Sequence, residues 1–262
     1  MKKKKNLVSI IITNYNKEEY LNKSLKSASS QKFKNYEIIL FDDCSEDNSL
    51  KIIKKYKKIK LIKNHKKKFN SGPLNQIYGI KEGVKSSKGD IVCLLDSDDI
   101  FKKNKLNEIL NFFNSNLKKN FVVNLPQKNS NFKLKRLKPK KNIWPSIFPT
   151  SCISFRKKFF KNFNNYLKPD NFPNLEIDAR LLIYSYFFKN DLNIIHKNLT
   201  NYVKSKNNIS SNYPKFSKKW WFKRKEAFDY LKFILESKKI NLNKSLDYYL
   251  TNITYRILKS LI

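Results

Sequence analysis

The sequence predicts an α/β protein in which helices flank a mainly parallel sheet and a helical extension closes the chain. Three observations predict it. Short β-branched apolar runs alternate with helix-patterned segments from Leu7 to Asp99. A polar cluster follows the first, second and fourth of those runs. The stretches Trp220 to Glu236 and Leu242 to Ile262 carry apolar residues at helical spacing.

The first run, Leu7 to Ile12, has the length and branching of a buried strand, and Thr13-Asn14-Tyr15-Asn16 breaks it. Lys17 to Ser30 places Tyr20, Leu21, Leu25 and Ala28 on one helical face. A second strand, Tyr36 to Phe41, runs into Asp42-Asp43-Cys44-Ser45, and a helix follows from about Asp47. Ile59 to Ile62 reads as a third strand, Gly72 to Val84 as a helix, and Ile91 to Leu95 as a fourth strand running into Asp96-Ser97-Asp98-Asp99. Repetition of strand and helix implies right-handed crossovers and parallel strands, whose carboxyl ends are where such sheets bind ligands.

Beyond about residue 119 the pattern loosens. Phe121 to Leu125 and Ser151 to Phe155 read as strands, separated by a basic loop from Lys133 to Lys141 and by Trp144-Pro145 and Phe148-Pro149. Leu175 to Phe188 reads as a helix, and Ile194-Ile195 and Leu199 to Val203 as short strands.

Composition removes several classes of function. Three cysteines, Cys44, Cys93 and Cys152, support neither a disulfide framework nor a zinc cluster. Two histidines, His65 and His196, exclude a His-rich metal site. No apolar stretch is long enough to span a bilayer, and the basic run Lys2 to Lys5 lacks the apolar length and cleavage site of a leader, so a reducing cytoplasm is expected. The formal charge is +35, yet only Arg136, Arg156, Arg180, Arg224 and Arg256 are arginine among 56 basic residues. A surface that reads nucleic acid favours the planar guanidinium fork, so the lysine excess points to compositional bias and not to a specific nucleic-acid partner.

Two clusters can carry chemistry. Carboxylates crowded in Asp96-Ser97-Asp98-Asp99 repel one another, and a hard cation such as Mg²⁺ or Mn²⁺, shared with phosphate oxygens, relieves them. Helix capping accounts for one of these acids but not for three. A carboxylate at Asp42-Asp43 can accept hydrogen bonds from ribose hydroxyls or base N–H groups, while Asp47 and Ser49 suit the cap of the next helix.

The blocks Val8 to Asn16, Phe41 to Ser49, Gly89-Asp90-Ile91 and Leu95 to Asp99, in that order and spacing, resemble the family 2 glycosyltransferases, nucleotide-sugar-dependent enzymes of GT-A fold. The resemblance covers residues 7 to about 110 and continues loosely through Leu175-Glu176-Ile177-Asp178 and Asn208 to Ser211. It implies a GT-A (Rossmann-like) catalytic domain over 1–205, with a donor half over about 1–118 and an acceptor half over about 119–205, then a helical extension over 206–262. It implies inverting transfer of a sugar from a UDP-linked donor to the hydroxyl of a glycan or lipid-linked glycan, in polysaccharide or lipopolysaccharide assembly.

Position by position, the resemblance makes Thr13 and Tyr15 nucleotide-lining residues and Asp43 the uridine-contacting acid, with Asp42 as the alternative. Asp96 and Asp98 become the acids of the DXD motif, on the sugar phosphate and the metal respectively. Asn75 falls where members carry Arg-Asn, here Leu74-Asn75, and Cys44 and Asn14 replace a usual Gly and Pro. Asp178 becomes the first candidate for base, its carboxylate held ionised by the N–H groups of a helix start, and Glu176 the second. The two are expected to point in different directions so that only one faces the cleft, and the lesser alternative is a solvated helix start. Lys204 and Lys206 fall where relatives cover the diphosphate. Lys218 to Lys225, with Trp220 and Trp221, suits either contact with anionic membrane at the inner face or helix packing. Two rival functions stand beside this one. A sugar nucleotidyltransferase would need a Gly-rich loop after the first strand, where Thr13 to Asn16 has no glycine, and a polyanion binder would rest on the charge alone.

Overall fold

A computed structural model describes residues 7–127, 147–203 and 208–261. The basic loop Lys133 to Lys141, Trp144-Pro145, Lys204 and Lys206 lie outside the described residues.

Four strands form the first half of one sheet: β1 (Val8–Asn14), β2 (Tyr36–Asp43), β3 (Ile59–Asn64) and β4 (Ile91–Asp96). All their pairings are parallel, in the order β3-β2-β1-β4, and α1 (Glu18–Ser29), α2 (Ser49–Lys54) and α3 (Gly72–Ser86) connect them. The sheet then continues through β7, β6, β8 and β5 without a break. Here β5 (Ile100–Phe101), β6 (Phe121–Pro126), β7 (Ile153–Arg156) and β8 (Asn193–Asn201) mix orientations: β7 is antiparallel to both β4 and β6, β8 is parallel to β6, and β5 is antiparallel to β8. Parallel pairing therefore rules the first half of the sheet, and the other half is mixed.

The central strands β1, β2 and β4 bury both faces, and period two divides their side chains. Val8, Ile10 and Ile12 join Ile91, Cys93 and Leu95 beneath α1 and α4 (Lys105–Ser115), whereas Ile11, Val92 and Leu94 meet α3 on the opposite face. Helix α3 lies unusually close to the sheet through Gly79 and Gly83, one turn apart. A Cβ added at Gly83 would stand 2.5 Å from Ile11 Cγ2, and one at Gly79 would stand 2.6 Å from the Phe41 ring. This contact lets the first turn of α3 reach the site.

Several elements depart from expectation. Helices α4 and α5 (Lys157–Phe163) are additions, α4 having Leu106, Ile109 and Phe113 at helical spacing and α5 being too short to show a period. The segment expected as one helix from Leu175 is α6 (Ile177–Ile183) followed by a π-helical turn, Tyr184–Phe188, wound around stacked aromatics. The two short strands expected after Ile194 are one strand, β8, bent by register shifts opposite Leu125. Ser151, expected to open a strand, sits instead in the 3₁₀ turn Thr150–Cys152.

The boundary placed at residue 206 also needs correction. Helix α7 (Lys218–Glu236) inserts Ala227, Tyr230, Leu231, Ile234 and Leu235 into the same core cluster as α3, β4, β6 and α6, so the packing does not end at residue 206. Only α8 (Leu246–Ser260) is peripheral, with Thr251 its one buried residue.

Candidate active site

A cleft of about 860 Å³ opens at the carboxyl ends of β1, β2 and β4 and is closed on its far side by the start of α6. Thr13, Tyr15, Asp43, Asp96, Asp98 and Asp178 all line it, as do Asn75 and Glu176. Residues drawn from 165 positions of chain thus meet in one space because parallel strands deliver their polar ends to the same edge.

At the donor end the backbone after β1 and after β2 turns through left-handed residues, Asn16 (φ 48°) and Cys44 (φ 60°). Cys44 therefore keeps the conformation that a glycine adopts most readily. Asn14 donates to Asp42 Oδ1 (2.8 Å) and to Ser45 Oγ (3.1 Å), and Asp42 accepts in addition from the Ser45 N–H (3.1 Å) and hydroxyl (2.7 Å). Asp42 is fully buried and does not line the cleft: it ties the two strand ends together, which removes it as a nucleotide ligand. Asp43 does line the cleft and accepts from Asn64 Nδ2 at 2.8 Å. The Tyr15 ring is capped by Lys67 Nζ, 3.5 Å from its centroid. Asp47 proves to cap two helices, accepting from the N–H groups of Ser49 and of Glu18, each at 2.9 Å.

The acid cluster follows β4. Asp96 Oδ1 accepts from Gln76 Nε2 of α3 at 2.8 Å, and its N–H donates to Ser151 Oγ at 2.9 Å. Burial, then the charges of Asp99 and Asp98, holds the Asp96 carboxyl well above the usual carboxylate range. Asp99, buried and receiving the Val203 N–H at 2.8 Å, is pushed up to about 7 by burial and by Asp98. Asp98 meets Lys17 Nζ at 2.8 Å, and Lys17 also donates to Asn208 Oδ1 at 3.3 Å. The cluster thus crowds three carboxyls against the Lys17 ammonium, with the buried Lys105 ammonium acting on Asp99 from below. Among the described residues no group of three His, Cys, Asp or Glu side chains converges as a metal cage. The oxygen donors nevertheless fit Mg²⁺ or Mn²⁺, which take one or two carboxylates and complete their shell with phosphate oxygens and water.

Beneath the cluster, Lys105 of α4 is fully buried. It donates to Asn124 Oδ1 (2.8 Å), the Ser151 carbonyl (2.6 Å) and Thr200 Oγ1 (2.9 Å), and burial lowers it to about 8. This ammonium fastens β6, β8 and the 3₁₀ turn into the floor of the site.

At the acceptor end Glu176 is the N-cap residue of α6 and Asp178 stands in its first turn. Both line the cleft, contrary to the expectation that only one would. Glu176 forms an ion pair with Lys223 of α7. Asp178 accepts from the Ala179 N–H at 2.6 Å, yet burial and the neighbouring Glu176 charge push its carboxyl up to about 7. The helix start was expected to hold Asp178 ionised, and desolvation outweighs it. Next to this pair lies a smaller hollow of about 500 Å³ between α6 and α7, bordered by Ile147, Leu175, Tyr213 and Trp220.

Asn75 lines the cleft with its amide committed elsewhere, donating to the Phe69 carbonyl (2.9 Å) and accepting from the Phe69 N–H (3.0 Å). It shapes the loop before α3. Lys204 lies outside the described residues. The sequence reading missed Lys17, Gln76, Lys67 and Tyr202, all of which line the cleft, whereas Asn208, within the block Asn208 to Ser211, lines it too. Lys17 left a signal: it is the N-cap residue of α1, where a cation opposes the helix dipole and a small oxygen-bearing side chain is favoured.

The profile of glycosyl transferase family 2 matches residues 9–187. Poly(ribitol-phosphate) β-N-acetylglucosaminyltransferase TarP of Staphylococcus aureus is 38% identical over 113 residues, an alignment spanning 42% of this chain and 33% of that protein. UDP-Glc:α-D-GlcNAc-diphosphoundecaprenol β-1,3-glucosyltransferase WfaP of Escherichia coli is 39% identical over 108 residues, spanning 40% and 41%. The chain thus matches less than half the length of either relative. The crystal structure of S. aureus TarS 1–349 in complex with UDP superposes with TM-score 0.62 at 17% identity, covering 96% of this chain and 70% of that one. A mannosyltransferase from Pyrobaculum calidifontis in complex with GDP-Man and Mn²⁺ does so with TM-score 0.64 at 11% identity, covering 95% and 68%. The chain belongs to glycosyl transferase family 2 and has the GT-A fold.

Proposed function

We propose that this family 2 glycosyltransferase moves a sugar from a UDP-linked donor to a hydroxyl of a cell-surface glycan or lipid-linked glycan, with inversion at the anomeric carbon. The observation that carries the proposal is one cleft lined at one end by Asp43, Asp96 and Asp98 and at the other by Glu176 and Asp178. The first group suits a nucleotide diphosphate, and the second suits a proton acceptor. Relatives named for UDP-glucose and N-acetylglucosamine transfer support the donor class.

Thr13, the Tyr15–Lys67 pair and Asp43 border the nucleotide end, where Asp43, steadied by Asn64, can accept a base or ribose donor. Asp98, with Asp96, would hold the divalent cation, which when bound neutralises charge growing on the departing diphosphate. Gln76 orients Asp96, and Lys17 contributes a positive charge of its own at Asp98. On the acceptor side the attacking hydroxyl forms its bond to the anomeric carbon as the bond to the diphosphate breaks, and its proton passes to Asp178. A carboxyl held at about 7 is matched to that transfer near neutral pH. Glu176, held by Lys223, stands beside Asp178, and its charge raises the Asp178 carboxyl.

A screen of UDP-, GDP- and dTDP-sugars for hydrolysis and transfer, with Mn²⁺, Mg²⁺ or EDTA, tests the reading. Metal-dependent turnover confined to UDP-sugars is expected. Turnover of GDP-sugars alone, or equal turnover in EDTA, overturns the donor or the metal assignment.

A further inference from the structure

Helix α8 is apolar on two opposite faces. One face is occupied: Tyr248 meets Phe228 and Tyr255 meets Phe222 of α7, at ring separations of 5.4 Å and 4.8 Å, and Thr251 is buried between the helices. The other face carries Leu246, Tyr249, Leu250, Ile253, Ile257 and Leu261, returning every three or four residues as one stripe. These side chains are 50–89% exposed, and Leu246 is 89% exposed. Because α7 is seated in the core, the stripe is held on a rigid mount and faces outward.

The charge around the stripe identifies what covers it. Between Ser237 and Leu261 the basic residues are Lys238, Lys239, Lys244, Arg256 and Lys259, all exposed, and the single acid is Asp247. That acid is engaged by Arg224 of α7. The chain as a whole carries +35, so a second copy of itself would bring like charge to the contact. An apolar stripe on a segment with this excess of exposed cations is complementary to a surface that offers hydrocarbon below a layer of negative headgroups. At 15 residues the helix is about 22 Å long, suited to lying in an interface, and no helix among the described residues is long and apolar enough to cross a membrane.

We propose that α8 docks the protein on a bilayer containing anionic lipid, its exposed stripe entering the headgroup boundary while the lysines and Arg256 contact the headgroups. The segment Lys218 to Lys225, which the sequence offered for this role, is largely committed within the fold. Lys223 pairs with Glu176, Arg224 with Asp247 and Lys225 with Asp229, and the two tryptophans meet each other edge to face and pack against Phe216. The stripe is independent of the cleft, so the proposal stands or falls apart from the transferase reading.

The test is flotation of the purified full chain with vesicles of phosphatidylcholine alone or mixed with phosphatidylglycerol. Binding is expected only to the mixed vesicles and should weaken steeply as salt rises. The triple variant Leu250→Gln, Ile253→Gln, Ile257→Gln removes only exposed side chains, so its melting temperature and UDP affinity should match the native protein. Its vesicle affinity should fall about a hundredfold. A Lys244→Gln, Arg256→Gln, Lys259→Gln variant should lose binding chiefly at low salt. Equal vesicle binding by native and triple-variant protein overturns the proposal, as does failure of the native protein to bind mixed vesicles at low salt. Sedimentation showing a native dimer that the triple variant converts to a monomer would also overturn it, by assigning the stripe to a second copy.

Discussion

The two ends of the cleft solve one electrostatic problem differently. At the donor end Asp98 is paired with Lys17 of the α1 start, and at the acceptor end Glu176 is paired with Lys223 of α7. In each place a further carboxyl is raised by burial and like charge: Asp96 and Asp99 at the one, Asp178 at the other. The donor acids crowd a turn after a buried strand and number three, an arrangement that suits the proposed divalent cation. The acceptor acids number two, and their surplus is a single proton site near neutrality. A carboxylate centre becomes a cation site or a base according to how many negative charges its neighbours leave uncancelled.

The sharpest break of that comparison is Asp178→Asn. Turnover should fall by about 10²–10⁴, the usual worth of a general base, with UDP affinity within about threefold of native. Steady-state kinetics beside calorimetric UDP titration checks it, and near-normal turnover would return the role to Glu176. The matching change at the other end, Asp98→Ala, should abolish the metal dependence of UDP binding together with most of the affinity. Calorimetry with Mn²⁺ and with EDTA reads this directly, and affinities that differ between the two conditions as in the native protein would sink it.

Acidity separates the ends further. If Asp178 is the proposed base, it works only when ionised, so kcat/KM should fall as pH drops through about 7. Glu176→Gln removes the like charge beside Asp178 and should move that midpoint downward, with a milder loss of rate than Asp178→Asn. Stability should run the other way. The folded carboxyl binds its proton more tightly than its usual value of 3.8, so this group costs stability as pH rises from there to about 7. Asp178→Asn should therefore raise the melting temperature above neutral pH, and a lowered one would contradict the assigned shift.

Lys17→Met tests whether the donor end holds a stand-in cation. Removing the ammonium should tighten Mn²⁺ binding to the donor-free protein, read by the loss of the free-ion paramagnetic resonance signal, and unchanged affinity would deny the competition. The smallest functional effect belongs to Gly83→Ala. Its Cβ would meet Ile11 Cγ2 at 2.5 Å, so stability should drop by about 1–3 kcal/mol while UDP affinity is preserved.

The comparison also separates what could be read from what could not. Donor-half strands announce themselves because each is a β-branched run ended by a polar block, and parallel crossovers then bring Thr13, Asp43 and Asp96 to one edge by rule. The family follows from those blocks. Asp42 and Asp43 are adjacent acids, and nothing local says that the first is tied to Asn14 and Ser45 while the second opens to the cleft.

The sequence by itself determined the fold class, the family and the edge of the sheet where the acids gather, because these depend on periodicity and on the order of short motifs along the chain. Tertiary structure alone decided that Lys17 faces Asp98 across 81 positions, that Lys105 is buried under the cluster, that α7 belongs to the core and that Asp178 titrates near neutrality. Each of these is a matter of which charges and surfaces meet after folding. Burial and long-range charge contacts leave no periodic trace along the chain.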